Sequence, residues 1–253
     1  MSGQASGFKE KFDPGKWSDI YDSSRKSNKD FTFKHGNELV EDICSRVSRP
    51  NELWLDIGCG TGYLSARLSE MGLSVIGVDH DIEMIEFANE RFLDHRMTNR
   101  PVFITAKADS LPFDDDTTDG VVAVSLAGCL SSPDEFFREA HRVLRKNGFA
   151  IITFTNRASL LIKINWCLNK ASYMIRRPAH SDGQYRVYAC AEVVDKLEKA
   201  GLRVIDVRFY NFFLNVGDLM IPPKPLAIYC ERLNKYNISH RLGGNFIVVA
   251  HKI

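Results

Sequence analysis

Residues 53–62 read "LWLDIGCGTG": a short apolar run holding an acid at Asp56, then glycines at 58, 60 and 62. An apolar run of this length directly ahead of glycines reads as a buried strand entering a tight turn. The spacing excludes two phosphate-binding loops. A dinucleotide fingerprint has its third glycine three positions after the second, where this chain has Tyr63. The phosphate-cradling loop needs a lysine behind its last glycine, and none follows. What fits is a loop whose missing Cβ atoms let backbone approach a ligand without a diphosphate. Asp56 then stands near the C-terminal end of a strand, where open parallel sheets bind ligands.

An alternating rhythm extends on both sides of this stretch. Upstream, residues 32–46 carry Leu39, Val40 and Ile43, followed by Val47, at helical spacing, and Pro50 closes that helix. Downstream, residues 62–71 read as a helix with Leu64, Leu68 and Met71 on one face, and "LSVIGVD" (73–79) as a strand buried on both faces. Residues 81–95 read as a helix capped by Asp81, with Ile82, Ile85, Phe87, Phe92 and Leu93 to bury. Strands follow at 101–108 and 119–127. A helix over 132–148 has an acidic start, a basic end and a glycine stop, and "FAIITF" (149–154) is the next strand. A helix at 190–201 and strands at 202–210 and 245–253 complete the chain. Strands alternating with helices predict a parallel sheet covered on both faces.

Two insertions break the rhythm, at 155–188 and 211–244, and a polar segment with interspersed aromatics precedes it at 1–34. The domain proper is therefore expected over 35–253. With 253 residues, 44% hydrophobic content and a net charge of +1, the composition is that of a water-soluble globular chain. Near-neutrality disfavours nucleic-acid binding through bulk electrostatics. Six scattered cysteines show no C-x-x-C pair, so no metal is expected; they read as reduced thiols, mostly small core residues, in a reducing, cytoplasmic setting. The N-terminal residues carry no secretory pattern and no stretch is long and apolar enough to span a bilayer.

"LDIGCGTG" resembles the first motif of class I S-adenosylmethionine-dependent methyltransferases, and three further stretches fall in that family's order: "LSVIGVD", "KADSLPFDDDTTD", and "DGVVAVSL" followed by "PDEFFREAHRVLRKNGFAII". The resemblance implies a doubly wound, Rossmann-like α/β fold with a mostly parallel seven-stranded sheet, its last strand antiparallel, and helical lid insertions. It implies S-adenosyl-L-methionine as cofactor, held by Asp56, Gly58, Gly60 and Gly62. Asp79, with His80 beside it, would take the ribose hydroxyls. Asp109 would meet the adenine amino group between Ala108 and Ser110, and Ser125 would border the site after the fourth strand.

The acceptor side is less determined by pattern. Methyl transfer from a sulfonium needs alignment more than a dedicated catalyst, and residues 125–129 offer no base. His180 is the candidate base, with Tyr185, Arg186 and Tyr188 as pocket polar groups. Trp17 and Tyr21 either wall the sulfonium by cation–π contact or simply dock the N-terminal segment. "RASLLIKINWCLNKASYMIRR" (157–177) is basic and apolar with no acid. It reads as a lid over the site or as a segment for peripheral membrane contact. Both readings favour a small apolar or amphipathic acceptor, methylated at oxygen or nitrogen. The rivals are an RNA or protein methyltransferase and a catalytically silent scaffold subunit. Oligomeric state is not written in the pattern.

Overall fold

The computed structural model describes residues 14–15, 18, 28–92, 99–165, 167, 186–216, 219–221, 223, 226, 229 and 239–253. Helix α1 (Asn28–Val47) leads into β1 (Leu53–Ile57), α2 (Tyr63–Glu70), β2 (Ser74–Asp79), α3 (Ile82–Arg91), β3 (Val102–Thr105) and β4 (Thr118–Ala123). A 3-10 turn, Ala127–Cys129, precedes α4 (Pro133–Val143) and β5 (Leu144–Thr155). After the first insertion come α5 (Cys190–Lys199) and β6 (Leu202–Tyr210), then a hairpin of β7 (Leu214–Val216) and β8 (Leu219–Ile221). A short α6 (Ser239–Leu242) and β9 (Asn245–Lys252) end the chain.

Seven strands form one sheet in the order β3-β2-β1-β4-β5-β9-β6. The pairs among β1 to β5 are parallel, while β9 lies antiparallel between β5 and β6. The order reverses at the β1/β4 junction, which is where an open sheet of this kind forms its ligand crevice.

Period-two alternation sorts the side chains between two layers. Leu55, Ile57, Val121, Ile152 and Val248 face a core built with Phe136, Phe137, Ala140 and Val143 of α4 and Val193 and Leu197 of α5. Trp54, Val75, Val122, Ile151 and Val249 face the opposite way, against Val40 and Ile43 of α1 and Leu64 and Leu68 of α2. Phe136 and Phe137 are fully buried; each contributes about 1.5–3 kcal/mol by leaving water. The Trp54 indole lies over Gly120 of β4, where an added Cβ would come within 2.2 Å of the ring. Glycine in that strand is a packing requirement.

The structure corrects several expectations. Helix α4 stops at Val143 rather than running to Gly148, because Leu144 turns extended and pairs with Thr118. Gly148 is no helix stop; a Cβ there would sit 2.9 Å from the carbonyl oxygens of both Arg145 and Asp119. Helix α1 begins at Asn28, ahead of the expected Thr32 and across the 34/35 line. On α3, Ile82 is exposed and the buried face is Met84, Ile85 and Ala88. Of the five described cysteines, all free, only Cys44 and Cys59 are buried. The second insertion contributes a β-hairpin as well as a helix. Among the described residues no helix is long and apolar enough to cross a membrane.

Candidate active site

The glycine loop leaves β1 with three left-handed residues, Gly58 (φ 76°), Gly60 (φ 51°) and Gly62 (φ 75°), and ends at the first residue of α2. Their surroundings separate their roles. A Cβ on Gly62 would collide with the Phe103 ring at 2.5 Å, and one on Gly58 would press Leu126 at 3.0 Å. Around Gly60 there is nothing within 4 Å. Gly62 therefore closes helix against strand, Gly58 lets the segment after β4 approach, and Gly60 alone faces open space. Four loop amides are engaged internally. Gly58 and Cys59 donate to the Val78 carbonyl, Gly62 to the Cys59 carbonyl, and Gly60 to Asp79 Oδ2 at 3.0 Å.

Asp79, at the end of β2, is the hub of this edge. Besides the Gly60 amide, it accepts from the Asp81 amide at 3.0 Å through Oδ1 and stands 3.2 Å from His80 Nδ1. Burial works against its charge, but the His80, Asp81 and Gly60 hydrogen bonds outweigh it and hold the carboxyl below the usual range. The same contact raises the His80 pKa, with burial opposing. Asp81 is the helix cap, accepting from the Glu83 amide. Asp56 lies beneath the loop, only 2% exposed, with Oδ2 accepting from the Ser65 hydroxyl at 2.7 Å. Burial, with the neighbouring Asp79 charge, pushes its pKa up to about 7 against the pull of Ser65. The Thr61 hydroxyl is buried in the loop with no hydrogen-bond partner among the described residues.

After β3 a tight turn closes with Ser110 N–H donating to the Lys107 carbonyl at 3.2 Å; Asp109 and Ser110 are exposed and Ala108 is half-buried. After β4, Ser125 adopts φ 59°, uncommon for a residue with a side chain, and its N–H donates to Thr153 Oγ1 at 2.8 Å. The predicted Asp56, Gly58, Gly60, Gly62, Asp79, His80, Ala108, Asp109, Ser110 and Ser125 thus gather at the C-terminal edge of adjacent strands. Trp17, Tyr21, Trp166, His180 and Tyr185 lie outside the described residues.

Sequence reasoning missed the clasp at the insertion roots. Asn156, directly after β5, is 1% exposed; its Nδ2 donates to the carbonyls of His240 and Gly243 at 2.8 Å each, and its Oδ1 accepts from Ala158 N–H. The buried Ser159 hydroxyl donates to the Leu242 carbonyl. Both insertions are therefore tied together at the ligand edge. The only sequence signal was the polarity of Asn156 and Ser159 beside apolar runs. Tyr188, expected as a pocket polar group, is instead a core residue whose hydroxyl donates to the Ala127 carbonyl at 2.8 Å. Arg186 is exposed and its backbone N–H donates to the Gly128 carbonyl.

Residues 55–152, which span the glycine loop, Asp79, the β3 turn and Ser125, match the family model described as a methyltransferase domain. These residues carry a methyltransferase domain. An uncharacterised protein of Methanocaldococcus jannaschii is 29% identical over 215 residues, covering 78% of this chain and 79% of the archaeal one. A sterol 4-C-methyltransferase of Caenorhabditis elegans is 30% identical over 98 residues, which span 39% of this chain and 29% of the worm protein. Magnesium protoporphyrin IX methyltransferase from Synechocystis, solved with bound S-adenosylhomocysteine, aligns with a TM-score of 0.65 at 15% identity, covering 94% of each chain. At that identity the likeness speaks for the fold alone.

Proposed function

We propose that this protein transfers a methyl group from S-adenosylmethionine to an oxygen or nitrogen atom of a small apolar or amphipathic molecule. The observation that carries the reading is Gly60, open on its outer side and bonded on its inner side to the Asp79 carboxylate. A Cβ would fill that opening. A ligand that needs backbone contact next to a carboxylate, with no phosphate to hold, fits it.

When bound, the cofactor supplies a methyl group on a sulfonium centre already activated for in-line displacement. The chain's own residues bind and orient. Asp79 has about four lone-pair sites for a cis-diol, and the amides of Gly60 and Asp81 together with His80 engage three of them. His80 has the exposed side chain, so its withdrawal frees the second site. Asp56 places negative charge below the loop, where a cationic ligand group offsets its desolvation. Asp109 is the exposed acceptor for an exocyclic amine. Ser125 and the 3-10 turn border the acceptor side, and the clasped roots of the two insertions lie at the same edge. Leu160 and Ile164, exposed on the first insertion, support an apolar acceptor. So does a relative named for a sterol.

The test is transfer of labelled methyl from S-adenosylmethionine into fractionated cell extract. Label in lipid or small metabolites is expected. Label confined to RNA or protein makes it a macromolecular methyltransferase. No label anywhere, with cofactor still bound, makes it a scaffold subunit.

A further inference from the structure

Residues 111–115, in the loop after β3, are gripped by one ion pair on α4. Arg142 Nη1 donates to the Phe113 carbonyl at 2.7 Å and to Asp115 Oδ1 at 2.9 Å, and Nη2 to the Leu111 carbonyl at 3.0 Å. Its Nε and Nη2 also grip Glu139, at 2.8 Å each. Glu139 Oε2 in turn accepts from Leu111 N–H at 2.8 Å, and the Arg142 backbone carbonyl accepts from Asp116 N–H at 3.0 Å. Both backbone groups of Leu111 are thus fixed by one carboxylate–guanidinium pair. The Leu111 and Phe113 side chains already pack against the core, which decides where the segment lies. Apolar packing is non-directional. The forked, planar guanidinium is directional, so it sets the orientation of the peptide planes. One residue upstream of Leu111 is the Lys107–Ser110 turn that exposes Asp109.

We propose that the Glu139–Arg142 pair is a positioning device that sets base selectivity at the cofactor site, by holding Leu111 so that Asp109 meets the six-position of a purine. This rests on the methyltransferase reading above. A carboxylate accepts from an amino group and repels a keto oxygen, whose lone pairs face its own. A rigidly presented Asp109 therefore discriminates aminopurine from ketopurine, and a loosely held one does not. Neither Glu139 nor Arg142 touches the ligand in this account.

Calorimetry with S-adenosylhomocysteine and its inosyl counterpart, on the whole chain, tests this. The wild type is expected to prefer the adenosyl compound by about tenfold or more, the scale of one hydrogen bond to a charged group. In Arg142→Ala and Glu139→Gln the ratio should fall toward one. Lys196→Ala is the control: it removes the 2.6 Å ion pair to Asp134, also on α4, and should lower thermal stability without moving the ratio. If Arg142→Ala does not fold, Glu139→Gln decides. A ratio retained in the variants while melting temperature falls makes the pair purely structural and overturns the proposal. Equal binding of both compounds by the wild type overturns it as well, with the methyltransferase reading intact. Binding of neither by the wild type overturns that reading and this proposal with it.

Discussion

Gly60 and Gly62 are two residues apart, and the structure gives them opposite consequences. Gly60→Ala meets no neighbour. It costs about 1–2 kcal/mol for the left-handed backbone and intrudes where the ligand approaches. We expect a modest fall in melting temperature with a large loss of S-adenosylhomocysteine affinity. Gly62→Ala drives a methyl into the Phe103 ring, so its main loss should appear in chemical denaturation. The reverse pattern would show the loop to be read backwards. Asp79→Ala should cost roughly 2–4 kcal/mol of cofactor affinity, from two bonds to a charged acceptor. Sequence alone suggests that such a change leaves folding untouched, but Asp79 also holds the Gly60 and Asp81 amides. A loss of about 1 kcal/mol of stability should accompany it, while Asp79→Asn, which keeps an acceptor, should recover part of that. Calorimetry beside urea denaturation separates the two losses, and unchanged affinity in Asp79→Ala would remove the ribose assignment. The glycines and Asp79 were legible because their spacing is local. The division of labour among the glycines was not, since it depends on Phe103 and Leu126, distant in sequence.

Elements were readable where one short run carries its own signal. Strand 53–57 falls where its apolar run lies, because a strand buried in a sheet is marked by composition, and the edge strand 202–210 falls where its mixed apolar and charged run lies. The end of α4 was misplaced because Gly148 mimics a helix stop, while the deciding event, Leu144 pairing with Thr118, is long-range. The Asn156 clasp was invisible for the same reason: its partners at 240–244 lie far along the chain. Asn156→Ala leaves the carbonyls of His240 and Gly243 without that donor, a cost of about 1–3 kcal/mol for buried groups. Hydrogen exchange should accelerate together in 157–165 and in 239–244, with cofactor affinity held within about twofold, the spread expected of a site bordered only indirectly. Acceleration in one insertion alone would show that they are not coupled through this residue. Leu161→Ser, on the first insertion itself, should lower transfer to the acceptor more than cofactor affinity, because the cofactor rests on the sheet loops. Equal losses in both would make this segment part of the cofactor site.

At the scale of the whole molecule, the sheet order, the reversal at β1/β4 and the antiparallel β9 agree with what the four sequence stretches in register imply. The cost of that architecture was not legible. It places Asp56 near the end of β1, 2% exposed, beneath a loop and close to a second carboxylate, Asp79. Its pKa rises from 3.8 to about 7, by burial first and the Asp79 charge after it. Between these two values the folded chain keeps a proton that the unfolded chain has lost, so stability falls as pH rises through the window, and the full penalty stands above it. Asp56→Asn keeps the shape and an acceptor for Ser65 while removing the charge. Its urea midpoint should exceed that of the wild type at pH 8, by on the order of a few kcal/mol in free energy, and the two should converge near pH 4. A buried anion retained at this cost on the ligand edge is best explained by a cation that arrives with the ligand. Saturating S-adenosylhomocysteine, which carries an ammonium group, should therefore flatten the wild-type pH dependence and leave that of Asp56→Asn unchanged. Parallel curves for the two proteins, with or without ligand, would show that the Asp56 carboxyl neither weakens the empty fold nor meets the ligand's charge.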